Sequence, residues 1–154
     1  MALAKSLLAA AILAVGLHAG AAGAAERNLL AEEANRRIVL EFYDRFFNRH
    51  ETEEAARVVA PDYRQHNPRV PDGRAPFVNF FSSFFRQNPH YNVRIVRSAT
   101  DGDLVYLHVH ARRSTDDLGS AVVDIFRVRD GKIVEHWDVI QPVPQSAANQ
   151  NTMF

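Results

Sequence analysis

The sequence predicts an α+β fold in which helices come first and a sheet follows. Two observations carry that prediction. Apolar residues recur at three- and four-residue spacing up to residue 88, and they alternate singly from residue 91 to residue 140. The strands are joined by short turns rather than by helices, which suits an antiparallel meander and not βαβ units.

The chain opens with the pattern of an export signal. Lys5 supplies the positive start, Leu7 to Leu17 is an apolar stretch too short to span a bilayer, and Ala22-Gly23-Ala24 fits a small-residue cleavage site. Residues 1–24 are therefore assigned to the signal and 25–154 to one domain, about 130 residues. The expected location is the periplasm or outside the cell. Lys5 is the one charged residue removed, so 18 basic and 18 acidic side chains become 17 and 18, a formal charge of −1. That balance argues against a nucleic-acid or anionic-membrane surface. The chain has no cysteine, so thiolate chemistry and disulfides are excluded.

The elements follow in order. A helix is expected over Ala31–Phe47, with Ile38, Phe42 and Phe46 beside Val39, Tyr43 and Phe47 on one wide stripe. A second, over Thr52–Val59, opens on a Thr cap and stops before Pro61. A third, Arg74–Asn88, has Asp72 as its expected cap. The first and third helices hold eight of the ten phenylalanines, enough to roof one face of a sheet. Tyr63–Asn67 reads as a short strand or extended entry segment. Tyr91–Ala99, Leu104–Arg112, Val122–Val128 and Ile133–Ile140 read as four long strands, and 142–154 as an irregular tail. Both faces of the last hairpin are partly apolar, with Val123, Ile125, Ile133, Trp137 and Val139 on the face opposite Asp124, and one face can pack on the helices. A homodimer through the sheet's outer face is expected.

The hairpin at 121–141 carries the chemistry. A two-residue Asp130-Gly131 turn would set Asp124 opposite Trp137. A three-residue turn with a Gly131 bulge would pair Asp124 with His136 and Val122 with Asp138. The bulged register puts Asp124, His136 and Asp138 on one face with Phe126, among apolar neighbours. Ionisable groups there are expensive to bury, and a reactive pocket is one way to offset that. Asp124 reads equally as a proton shuttle or as a carboxylate paired with His136 or an arginine. His108 and His110 share a strand face and read as acid/base groups, or, with His136, as ligands for a divalent metal. His66 and Asn67 lie where helices hand over to the sheet, the place for a pocket mouth, and Tyr43 could aim its hydroxyl into the same space. No nucleophile motif or phosphate-binding loop is present.

Four segments then carry a resemblance: Tyr-Arg-Gln-His-Asn-Pro (63–68), Val-Pro-Asp-Gly-Arg (70–74), Val-Asp-Ile-Phe-Arg-Val-Arg-Asp-Gly-Lys-Ile (123–133) and Glu-His-Trp-Asp-Val (135–139). With the helical spacing they make the chain resemble the nuclear-transport-factor-2-like superfamily, and within it the SnoaL-like polyketide cyclase branch. The resemblance implies a cone-shaped barrel, a curved mixed or antiparallel sheet wrapped on three N-terminal helices around a deep pocket. It implies aldol-type ring closure by protein acid/base groups on a small apolar carbonyl compound, without metal or cofactor. Asp124 falls at the family's acid/base aspartate, His108 or His110 at its histidine, and His66 at a pocket position. Ketosteroid isomerases share the fold; their oxyanion tyrosine falls at Tyr43, and their base falls near Asn67, which is no carboxylate. Epoxide hydrolases of this fold have an aspartate near Asp138, but His108 and His110 replace the other two members of their triad. A non-catalytic binding module is the alternative.

Overall fold

The computed structural model describes residues 26–154, so the expected export signal lies outside the described residues. Three helices and five strands alternate less simply than the sequence pattern suggests. Helix α1 spans Leu29–Phe47, and the Asn28 side chain caps it by accepting from the Ala31 amide. Helix α2 is one turn, Thr52–Ala55, followed by a 3₁₀ turn at Ala56–Val58. Strand β1, Val59–Gln65, begins where the second helix was expected to end, so that helix is shorter than its sequence signal. Pro61 lies inside β1, which its position permits: β1 is an edge strand with irregular pairing between Val59 and Arg64, where a missing N–H breaks no ladder bond. Helix α3 follows at Arg74–Gln87. Its expected cap, Asp72, instead accepts from the Gln65 amide at 2.7 Å, and Gly73 at φ +89° takes the cap position.

Strands β2 (Asn92–Asp101), β3 (Leu104–Arg112), β4 (Ser120–Arg129) and β5 (Lys132–Pro142) form the meander. The sheet order is β1-β5-β4-β3-β2, with β1 parallel to β5 and every other pair antiparallel. The architecture is thus α+β with an open, mixed, five-stranded sheet against the helices. Among the described residues no helix is long and apolar enough to cross a membrane. The tail after Pro142 is irregular, yet its last residue returns to β3, where the Phe154 ring stacks on His110 at 4.1 Å.

The β4–β5 register corrects both expected alternatives. Asp130 and Gly131 both have positive φ, 50° and 71°, the geometry of a two-residue turn pairing Arg129 with Lys132. The extra residue enters two positions later. Val128 pairs with Ile133, but Arg127 pairs with Glu135, leaving Val134 as a bulge. Beyond it Asp124 faces Asp138 and Phe126 faces His136. One inserted residue flips every later side chain, so Asp124, His136 and Asp138 do share a face, although Asp124 is not opposite His136.

That face is the inner one. Val122, Asp124, Phe126 and Val128 of β4 are buried, and so are Val105, Leu107, Val109 and Ala111 of β3. Val39, Phe42 and Phe46 of α1 and Phe77 and Phe85 of α3 pack over them. Phe46 stacks on Phe77 at 4.8 Å and is fully buried. At the start of α1, buried Glu32 accepts from Arg27 and from Thr100 Oγ1 at 2.8 Å, pinning the helix to the end of β2. The hydrogen bond from Arg27 holds the Glu32 carboxyl down at about 2, against the desolvation that would raise it.

Candidate functional site

Between the sheet's inner face and the phenylalanine-rich helices lies a cavity of about 700 Å³. Its walls are aromatic: Phe42 and Phe47 from α1, Phe77, Phe80, Phe81 and Phe84 from α3, with Tyr63 and Tyr91. Its floor is polar, and Asp124 and His136 are there with only 4 % and 6 % of their surfaces exposed.

The floor is one connected hydrogen-bond chain. The Tyr43 hydroxyl donates to Asp124 Oδ2 at 2.8 Å. Asp124 Oδ1 meets His136 Nε2 at 2.9 Å, and His136 Nδ1 meets Gln65 Oε1 at 2.8 Å. The Asn67 amide also donates to Gln65 Oε1, at 3.0 Å. A backbone N–H can only donate, so this contact fixes the Gln65 atom as the oxygen. His136 Nδ1 must then carry a hydrogen to meet the same oxygen. The remaining contact, Nε2 to Asp124 Oδ1, holds one proton between the two groups. Either the carboxyl donates to a neutral ring, or the cationic ring donates to a carboxylate. Beside the pair, Asn67 Nδ2 donates to Asp138 Oδ2 at 2.6 Å, and Asp138 Oδ1 has no hydrogen-bond partner among the described residues.

Three tyrosines face this set. Burial, then the charge of Asp124, pushes the Tyr43 hydroxyl well above its ordinary range. Burial and then Asp124 act in the same direction on Tyr63 and Tyr91. All three keep their protons near neutrality and serve as donors. Tyr43 is committed to Asp124. Tyr63 accepts a long 3.5 Å contact from Gln65, which leaves its own hydrogen uncommitted.

The expected site residues divide. Tyr43, Asn67, Asp124, Phe126, His136 and Asp138 line the cavity. His66, His108 and His110 do not. The pairing of Leu107 with Asp124 puts the odd positions of β3 inward, so His108 and His110 are on the outer face. There both rings stack on Phe154, and His110 Nε2 donates to the Leu118 carbonyl at 2.8 Å. His66 also turns outward. It stacks on Trp137 at 4.7 Å and contacts Glu135 Oε1 at 2.9 Å. The expected metal trio of His108, His110 and His136 is split between the two faces and cannot meet one ion. Asp124, His136 and Asp138 do offer ligand atoms within 4.8 Å of one another, but hydrogen bonds to Tyr43, Gln65 and Asn67 already engage each of these side chains.

Gln65, Tyr63 and Tyr91 were missed from sequence. The signal for two of them was present. Along an extended 63–67 segment, alternate residues face one way, so a buried Tyr63 brings Gln65 and Asn67 inward and turns His66 out.

A family model for the SnoaL-like domain matches residues 39–136. The chain belongs to this family. No curated protein matches it in sequence. Solved structures share its fold. A provisionally named ketosteroid isomerase from Kribbella flavida DSM 17836 aligns with 21 % identity over 77 % of this chain and 85 % of its own, TM-score 0.63. A provisionally named polyketide cyclase from Bacillus cereus ATCC 10987 gives 21 %, 70 %, 74 % and 0.59. A SnoaL-like protein of unknown function from Burkholderia thailandensis gives 13 %, 71 %, 96 % and 0.62. At these identities the likeness is one of fold.

Proposed function

We propose that this SnoaL-like protein is a cofactor-independent acid/base enzyme that acts on a carbonyl compound, by aldol-type ring closure or isomerisation. The observation that carries the reading is the closed Tyr43–Asp124–His136–Gln65 chain on the floor of an aromatic cavity, with Asp138 beside it and one oxygen unengaged. Both oxygens of Asp124 and both ring nitrogens of His136 are occupied, so this pair shapes and polarises the floor without itself reaching the substrate. Asp138 is the carboxylate left free to meet a substrate.

In the proposed sequence, Asp138 takes a proton from the carbon next to a carbonyl. The electron pair moves onto the carbonyl oxygen, which accepts a hydrogen bond from the Tyr63 hydroxyl. In ring closure, the enolate carbon attacks a second carbonyl of the same molecule, and the protonated Asp138 gives its proton to the new alkoxide, which restores the site. Isomerisation ends with the proton delivered to a different carbon.

The test needs no knowledge of the natural substrate. In D2O, the protein is expected to speed deuterium exchange at the activated carbon of 2-tetralone, followed by proton NMR. Asp138→Asn is expected to remove that acceleration. No acceleration by the native protein, with 2-tetralone bound and recovered undeuterated, would favour the binding-module reading, to which the saturated hydrogen bonding of Asp124 is also suited.

Export and a homodimer through the outer face belong to the same reading. Val123 and Val139 pair there and are 44 % and 71 % exposed. The exported chain is expected to begin at Ala25 by mass spectrometry, and sedimentation is expected to give a dimer at micromolar concentration.

A further inference from the structure

The cavity's polar floor is buried, but its rim is exposed and basic. Arg69, from the β1–α3 connection, and Arg113, just past the end of β3, line the cavity; Arg112 borders it too, but by position it shares the outward facing of His108 and His110. Ten of the 17 basic side chains of the described residues make an ion pair or a hydrogen bond, among them Arg27, Arg36, Arg45, Arg49, Arg57 and Arg127. Neither rim arginine makes a side-chain hydrogen bond or an ion pair within 4 Å with any described residue. The rim has one carboxylate, Asp117, and it is taken: it accepts from the Arg113 amide at 2.9 Å and from the Gly119 amide at 2.9 Å. Gly119, at φ +77°, packs the following loop against the end of β3; a Cβ there would fall 2.2 Å from the Ala111 carbonyl oxygen, 2.7 Å from Arg112 Cγ and 3.0 Å from His110 Nε2. His110 fixes the same loop through the Leu118 carbonyl.

Arg69 and Arg113 against the single carboxylate of Asp117 leave the opening of the apolar cavity net positive where a ligand enters, and low-dielectric walls focus that field. Guanidinium groups suit a planar oxyanion. We propose that the ligand of this cavity is an organic carboxylate whose apolar body fills the aromatic chamber and whose anionic end is held at the rim by Arg113 and Arg69. This rests on the proposed use of the cavity and adds the substrate class: a carbonyl compound that also bears an acid group.

Two probes of one shape isolate the charge: 1-naphthaleneacetate and its neutral amide, titrated calorimetrically into the full protein. The acid is expected to bind about tenfold more tightly at low salt, in line with one or two partly exposed ion pairs. The preference is expected to shrink towards unity in 0.5 M salt, as it must for screened charges. In the double variant Arg69→Gln/Arg113→Gln the two probes are expected to bind alike. Arg129→Gln, at the far turn of the hairpin, removes the same kind of charge and is expected to leave the preference intact. Equal affinities in the native protein, or an acid preference that survives in the double variant, would overturn the assignment while leaving the acid/base reading standing. Failure of both probes to bind at millimolar concentration would overturn the cavity as a ligand site, and both readings with it. The salt series on native protein decides the matter even if the double variant does not fold.

Discussion

The two faces of the sheet carry the same residue types and treat them oppositely. On the inner face, His136 is buried and bonded at both ring nitrogens, between Asp124 and Gln65. On the outer face, His66, His108 and His110 lie flat on Trp137 or Phe154, and carboxylates such as Glu135 are shared among Arg64, Arg127 and His66. The partners a histidine finds here follow from the side of the sheet on which it stands, and side is set by counting residues. Val134, the single bulged residue, puts His136 on the inner face; without it, Trp137 would be there.

The widest gap between the faces should appear in turnover. Asp138→Asn keeps the shape of the floor but removes the proposed base, and it is expected to slow deuterium exchange of 2-tetralone by about 10²- to 10⁴-fold, the usual size of an acid/base contribution. His108→Gln and His66→Gln, in the same assay, are expected to change the rate by no more than about twofold, as surface substitutions do. A His108 effect as large as that of Asp138 would break the comparison.

Stability gives the next gap. Leu107 and His108 are neighbours on β3 with opposite facings, and Leu107 is 1 % exposed against the core. Leu107→Ala is expected to cost about 2–5 kcal/mol in urea unfolding, from lost contacts and the cavity left behind. His108→Ala is expected to cost under about 1 kcal/mol.

The smallest effect concerns the buried acid that is not in the cavity. Glu32 titrates at about 2 in the folded protein against an ordinary 4.5. A carboxyl lowered by folding adds stability above its unfolded value and loses it as pH falls towards its folded value. Acid unfolding of the native protein is therefore expected to draw on Glu32 between about pH 4.5 and 2, and Glu32→Gln is expected to be less pH-dependent in that window. Identical slopes would show that the Arg27–Glu32 pair contributes nothing to folding.

The sequence made some of this visible and hid the rest for identifiable reasons. The helical stripe of α1 and the four alternating strands are periodic, and periodicity is set by local burial, so they were legible almost to their ends. The second helix was overestimated because Thr52 and Pro61 mark its limits without showing that β1 claims Val59. Asp124, His136 and Asp138 were recognised as one face, but the bulge that puts them there lies at Val134 and not at Gly131, since a bulge leaves no composition signal comparable to a glycine turn. His108 and His110 were put on the wrong side because which face of β3 is inward depends on pairing with β4, a tertiary fact. Gln65 was overlooked because its role, orienting His136, arises across β1 and β5, strands far apart in sequence.

The central claim is that His136 is a committed member of a buried hydrogen-bond chain while His108, on the outer face, is a half-buried ring outside that chain. Proton–nitrogen correlation NMR of the histidine side chains at neutral pH tests it directly. The expected result is a slowly exchanging Nδ1–H on His136, lost or shifted in Gln65→Leu, with ring protons on His108 that exchange rapidly. A His136 ring whose protons exchange as fast as those of His108, or whose Nδ1 carries no hydrogen, would contradict the account.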